Sequence, residues 1–263
     1  MSRQNPDKGD DRVRVIYHPA YTTDYVTASC EIPERAVSVI KALEQRYQTV
    51  QPGPCSDEDI LLCHTEDLLR SEKIDTGRYE TARLAAGGAI LAFDLAMDGY
   101  IPFAAVRPPG HHASADHNWG FCFFNNIAIA VKKGLEKKRI SSAVILDIDL
   151  HFGDGTDNIF ADDKRVDVLN IQSSNPVDFI KETESSLGMI KKTDMLAISA
   201  GFDQYEKDWG GNLSTSDYRK LGEISAEFAR AKTGGRLFAV LEGGYYIPDL
   251  GKNALALIEG MNS

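Results

Sequence analysis

The sequence has little cysteine, no long apolar run and no surplus of positive charge. Its four cysteines, Cys30, Cys55, Cys63 and Cys122, show no Cys-x-x-Cys spacing, which excludes a disulfide scaffold and suits a reducing compartment. The most apolar stretch, Leu84 to Phe93, falls far short of the ~20 residues that a membrane span requires. The opening MSRQNPDKGDDRV is polar and charged and reads as lacking a secretory signal. Against 39 acidic residues stand only 29 Lys and Arg, a formal net charge of −10. Nucleic acid is disfavoured as the main partner, because phosphate binding rests on clustered Lys and Arg. The densest basic cluster, Lys132, Lys133, Lys137, Lys138 and Arg139, reads as a solvated helix face. The expectation is a soluble, cytoplasmic protein with neither membrane nor nucleic acid as partner.

No internal repeat, low-complexity tract or Pro/Gly/Ser linker divides the chain, so residues 1–263 read as a single domain, with 1–12 as a flexible tail. At 43% hydrophobic and 26% charged the composition is ordinary for a globular protein. A domain of this length buries enough surface to need no metal staple, so any metal is expected to be catalytic. Apolar or β-branched runs recur at Val13–Tyr17, Phe103–Val106, Ala143–Ile148, Val166–Ile171, Met195–Ser199 and Leu237–Leu241. Between them lie helical patterns at Pro33–Tyr47, Asp57–Leu69, Arg78–Met97, Asn126–Lys137 and Ser216–Lys232. Near-continuous apolar strands alternating with amphipathic helices predict an α/β fold, a mostly parallel central sheet covered on both faces.

In such sheets ligand sites form beyond the carboxyl ends of the strands, and four of the runs end in chemically loaded residues. They deliver His111-His112, Asp147-Ile-Asp149-Leu-His151, Asp203 and Tyr245 to one rim. Alternation places Asp147, Asp149 and His151 on one side of an extended strand. Two carboxylates and an imidazole are costly to bury unpaired, and a divalent ion of the zinc type would resolve that cost. Asp203 is the best candidate for a third ligand; the alternative is a strand-end carboxylate bound to backbone amides. His111 and His112, facing a metal, suit acid–base work, with Asp147 and Asp154 left over as orienting partners. Tyr245 could offer its hydroxyl to an oxyanion or be a buried core residue. His64 reads as structural, and His18 and His117 as candidates for the site entrance.

The set Arg107-Pro-Pro-Gly-His-His-Ala113, Gly120-Phe-Cys-Phe-Phe-Asn-Asn126, Asp147-Ile-Asp-Leu-His-Phe-Gly-Asp-Gly155, Ser199-Ala-Gly-Phe-Asp203 and Leu241-Glu-Gly-Gly-Tyr245 resembles the histone deacetylase/acetylpolyamine amidohydrolase family. The resemblance implies the arginase/deacetylase fold, a single three-layer α/β/α domain, and a zinc-dependent amidohydrolase that removes an acyl group, usually acetyl, from an amine. It implies Asp149, His151 and Asp203 as ligands of one Zn²⁺ per chain. It also implies Asp147 and Asp154 as the partners of His111 and His112, Tyr245 as the group that stabilises the tetrahedral intermediate, and Gly120 and Phe121 as acyl-channel lining. A monovalent cation such as K⁺ would sit beside the zinc strand, on Asp147 and the backbone of Asp149 and His151. On this reading His112, held by Asp154, is the general base.

Phe152 stands where the family often has a second His. The stretch from Ser173 to Thr193 is shorter than the family's usual insertion, and Asp75-Thr-Gly-Arg78 is short too. These trims predict a more open site, or one completed by a neighbouring subunit, so a homo-oligomer is left open. A two-metal ureohydrolase is disfavoured because Gly153 and Tyr205 occupy positions where further carboxylates would be needed. A catalytically silent binding module for acetylated amines has no need of the whole set. The expected substrate is an acylated amine, either a small molecule such as an acetylpolyamine or a lysine side chain.

Overall fold

The structure, a computed structural model, describes residues 11–263. Of the tail expected over 1–12, residues 1–10 lie outside the described residues, and Asp11 and Arg12 form a turn. Seven strands follow in chain order: β1 (Val13–Ile16), β2 (Gln48–Val50), β3 (Ile101–Ala104), β4 (Ala143–Asp147), β5 (Val166–Asn170), β6 (Leu196–Ala200) and β7 (Leu237–Leu241). They form one sheet in the order β2-β1-β3-β7-β6-β4-β5, and every pairing is parallel.

Both faces of the central strands β3, β7, β6 and β4 are dry, which is why these strands are apolar nearly throughout. In β4, Ile145 packs into one core, while Val144 and Leu146 pack into the other. The first core belongs to α4 (Thr76–Met97) and α5 (Asn126–Glu136), the second to α1 (Glu34–Leu43), α7 (Pro176–Met189), α8 (Thr215–Phe228) and α9 (Ile247–Met261). Each fully buried Val, Leu or Ile contributes about 1.5–3 kcal/mol, so a charged side chain has no place in the middle of these four strands. A single three-layer α/β/α domain results. Among the described residues no helix is long and apolar enough to cross a membrane.

Several elements differ from the sequence pattern. The helix expected over Asp57–Leu69 is two short ones, α2 (Asp57–Ile60) and α3 (Glu66–Glu72). The break comes at Thr65, whose hydroxyl accepts the Leu68 amide and starts a new helix. Ser56 and Asp59 form the reciprocal cap that their spacing suggests, and Ser214 forms another with Asp217. Strand β2, α6 (Asp154–Phe160), α7 and α9 were not among the expected elements. The 173–193 stretch is occupied by α7, which opens with Asn175 as cap and Pro176 in the first turn.

His64 sits in the turn between α2 and α3, almost wholly buried. Its Nδ1 lies 2.8 Å from the Ser114 carbonyl, and its Nε2 accepts the Asn125 amide at 2.9 Å. Burial lowers its pKa to about 4, only partly offset by the Ser114 carbonyl. Between that value and the ordinary ~6.5 the unfolded chain binds the extra proton, so stability rises with pH across this window and is lost as pH falls. Urea midpoints should therefore drop from pH 7 to pH 4.5. A His64→Gln chain should lack this component, worth up to about 3 kcal/mol.

Candidate active site and metal centre

The site forms where β3, β7, β6 and β4, four successive neighbours in the sheet, run out at their carboxyl ends. His111, His112, Gly120 and Phe121 lie in the loop between β3 and α5; Asp147 ends β4, and Asp154 begins α6. Asp203 follows β6 and Tyr245 follows β7. Asp149 and His151 are not on a continuing strand, as alternation would have it, because β4 stops at Asp147. A loop held by side chains brings them in. The Asp149 amide donates to Asp147 Oδ1 (3.0 Å), the Leu150 amide to Asp203 Oδ1 (2.9 Å) and the His151 amide to Asp149 Oδ1 (2.9 Å).

Ligand atoms of Asp149, His151 and Asp203 all lie within 4.8 Å of one another. Both carboxylates are fully buried. Each also binds backbone amides, since Asp149 Oδ2 accepts the Gly243 N–H at 2.8 Å, whereas Asp203 Oδ2 meets His151 Nδ1 at 3.0 Å and no other partner among the described residues. Burial and the neighbouring Asp149 charge raise the Asp203 pKa to about 7. Hydrogen bonding to the two carboxylates raises His151 to about 10, so this pair draws in positive charge. Glycines shape the cradle. A Cβ at Gly243 would come within 2.6 Å of Asp149 Oδ2 and 2.8 Å of Asp203 Oδ2. An oxygen- and nitrogen-bearing, charge-hungry triad of this kind fits a divalent first-row ion.

Two His–Asp pairs face the triad. His111 Nδ1 is 3.0 Å from Asp147 Oδ2, and His112 Nδ1 is 2.6 Å from Asp154 Oδ1. Their electrostatics diverge. Burial opposes charge on His111, but Asp149 and Asp147 outweigh it and hold its pKa well above the ordinary value. Burial and repulsion from His111 push His112 down to about 4. Glu242 anchors the loop from beneath, its Oε2 accepting the amides of Gly110 (2.6 Å) and His111 (3.1 Å). Together with His111 and Cys122 it forms a second buried cluster of potential ligand atoms.

Tyr245 is held from three sides. Its amide donates to Asp208 Oδ2 at 2.6 Å, the Trp209 indole stacks on its ring at 4.1 Å, and the Arg35 guanidinium lies 4.8 Å from the ring centre. Burial raises its pKa, against the opposing charge of Arg35, so the hydroxyl keeps its proton. Arg35 donates to the carbonyls of Gly244 (2.7 Å) and Glu242 and pairs with Glu31, which also binds Arg107.

His111, His112, Phe121, His151 and Tyr245 line one cavity of about 90 Å³ together with Trp119 and Trp209. Its rim is open to solvent at Trp119 and Trp209, each about half exposed. Segment 173–193 is not among the lining residues; Trp209, from the loop after β6, closes the wall against Tyr245 within one chain. Trp119, Trp209, Arg35 and Glu242 had no role in the sequence reading. The only available signal was that the chain's two tryptophans fall in loops beyond strand ends. His18 lines a different cavity, of about 430 Å³, beside Thr23 and Glu80. His117 is exposed against Asp116.

The family profile described as "Histone deacetylase domain" matches residues 70–179. A protein of Methanothermobacter thermautotrophicus described as "Probable deacetylase" is 30% identical over 303 aligned residues, covering 94% of this chain and 90% of the relative. The chain belongs to the histone deacetylase family. A "Histone deacetylase-like amidohydrolase" of Pseudomonas aeruginosa is 28% identical over 85% of this chain and 74% of its own length. The HDA15 HD domain superposes with a TM-score of 0.82 over 94% of this chain and 87% of that one, at 21% identity, a likeness of fold. The histone deacetylase family is thus an amide-hydrolysing one on the evidence of these relatives, and its fold is the one seen here.

Removing the repulsion at the triad should separate stability from metal binding. In metal-free protein at pH 8, Asp203→Asn should raise the thermal midpoint by roughly 2–4 °C for each kcal/mol relieved. Added Zn²⁺ should then stabilise the wild type and not the variant. Paired thermal scans with and without Zn²⁺ check both halves.

Proposed function

We propose that this chain is a zinc-dependent deacylase that hydrolyses the acetyl amide of a primary amine, carried by a lysine side chain or a small polyamine. The observation that supports it most is the convergence of two oppositely poised His–Asp pairs, a protonated tyrosine and the Asp149/His151/Asp203 triad on one 90 Å³ cavity. The cavity's aromatic walls suit a short acyl group and its amide.

Asp149, His151 and Asp203 would hold the zinc ion, which when bound polarises the amide carbonyl and acidifies the attacking water. His112 is the neutral imidazole. Asp154 occupies its Nδ1, so Nε2 is the nitrogen that accepts the water proton and returns it to the leaving amine. His111, buried and drawn to positive charge by Asp149 and Asp147, sets a fixed positive charge beside the reacting carbonyl. Tyr245 donates its hydroxyl proton in a hydrogen bond to the carbonyl oxygen as negative charge grows there. Water and amide become carboxylate and amine with no other reactant. A monovalent cation such as K⁺ beside Asp147, and Phe121 with Gly120 along the acyl path, complete the proposal.

A fluorogenic acetyl-lysine amide and an acetylated diamine test it directly. Turnover should be abolished by a chelator and restored by zinc. Tyr245→Phe should lower kcat about 10²-fold or more, and His112→Ala about 10²–10⁴-fold. If His112→Ala keeps near-normal turnover while His111→Ala abolishes it, the base assignment is reversed. If neither substrate type is turned over by zinc-loaded protein, the reading fails.

A further inference from the structure

The two His–Asp pairs are not built alike. Asp147 is buried on every side, with a side chain only 1% exposed, whereas the Asp154 side chain is 41% exposed at the mouth. A carboxylate in that position rotates freely in water unless both its oxygens are held. Oδ1 takes His112, and Oδ2 accepts the indole Nε1–H of Trp119 at 2.8 Å. The same indole lies over the His112 imidazole, with ring centres 4.0 Å apart. Trp119 is itself half-exposed, at 50%, so its position is set by backbone rather than by burial. Gly120 and Phe121 follow it with φ of +60° and +67°, a left-handed pair that folds the chain back onto His112. A Cβ at Gly120 would meet that ring, and Phe121 tolerates a conformation that non-glycine residues seldom adopt.

We propose that Trp119 is a positioning residue for the His112–Asp154 pair, its indole N–H fixing the free carboxylate oxygen and its ring fixing the imidazole plane. Trp119 thereby substitutes for the burial that Asp147 enjoys. This assignment rests on the deacylase reading for its kinetic consequence but not for the contact itself. A charge-assisted hydrogen bond of this kind is among the stronger ones a side chain makes. Displacement of a catalytic group by about 1 Å costs up to 10²-fold in rate.

Two measurements on the full chain decide it. Nitrogen-15 spectra should show two indole signals, since the chain holds two tryptophans; Trp119→Phe identifies one by its loss. Asp154→Asn should move that signal and leave the Trp209 signal in place; if both stay, the contact is absent and the proposal is overturned. In kinetics, Trp119→Phe keeps the ring and removes the donor. It should lower kcat about ten-fold or more with KM changed less than about two-fold. An unchanged kcat, or a change confined to KM, overturns the positioning role and leaves Trp119 as a wall for substrate. If the wild type turns over no acyl amide, the deacylase reading fails and the kinetic role of Trp119 falls with it, while the spectra still report on the contact.

Discussion

Asp147, Asp149, Asp203 and Glu242 are buried carboxyl groups at the ends of adjacent strands, and the site is organised around answering their charge. Taking such groups out of water is unfavourable unless positive charge or converging donors meet them. His111 answers Asp147, and the amides of Gly110 and His111 answer Glu242. Asp149 and Asp203 are answered only in part, by backbone amides, by the imidazole of His151 and, for Asp149, by His111 Nε2 at 3.8 Å. The deficit is local to the triad, and a divalent ion is the simplest entity to close it. The low pKa of His112 follows first from its burial and then from the charge that His111 already carries.

The parallel sheet makes this concentration of charge tolerable. Its four central strands bury apolar side chains on both faces, so acids are expelled from their middles and collect where the chain leaves the sheet. Four neighbouring strands end at the same level, and their loops need only short reaches to meet.

That logic is also why much of the molecule was legible from the sequence. Apolar runs such as Ala143–Leu146 and Leu237–Leu241 identify central strands because they are short and end at once in charged residues, whereas the longer apolar run Leu84–Phe93 belongs to helix α4. The His, Asp and Tyr that follow the strand runs stand out against them. What escaped notice was weaker in signal. Strand β2 is three residues long at an edge, and α9 is rich in glycine and alanine. The split at Thr65 depends on a cap competing with a continuous helical pattern. The aromatic wall was hidden for another reason. A tryptophan's identity says that it is large, not which way it points, and only the fold reveals that Trp209 stacks on Tyr245. Arg35 sits on an amphipathic helix and looks ordinary until its carbonyl partners are seen.

Glu31 has a wider reach than its position near α1 suggests. One buried carboxylate, by pairing with Arg35 and Arg107, ties the loop after β7 to the loop after β3. Tyr245 and the tandem histidines are therefore referenced to a common origin on the opposite side from the mouth. Displacing either loop would strain the same buried carboxylate, so the spacing between tyrosine and histidines rests on one shared anchor. A cleft built this way can alter its rim without retuning the distances at its floor.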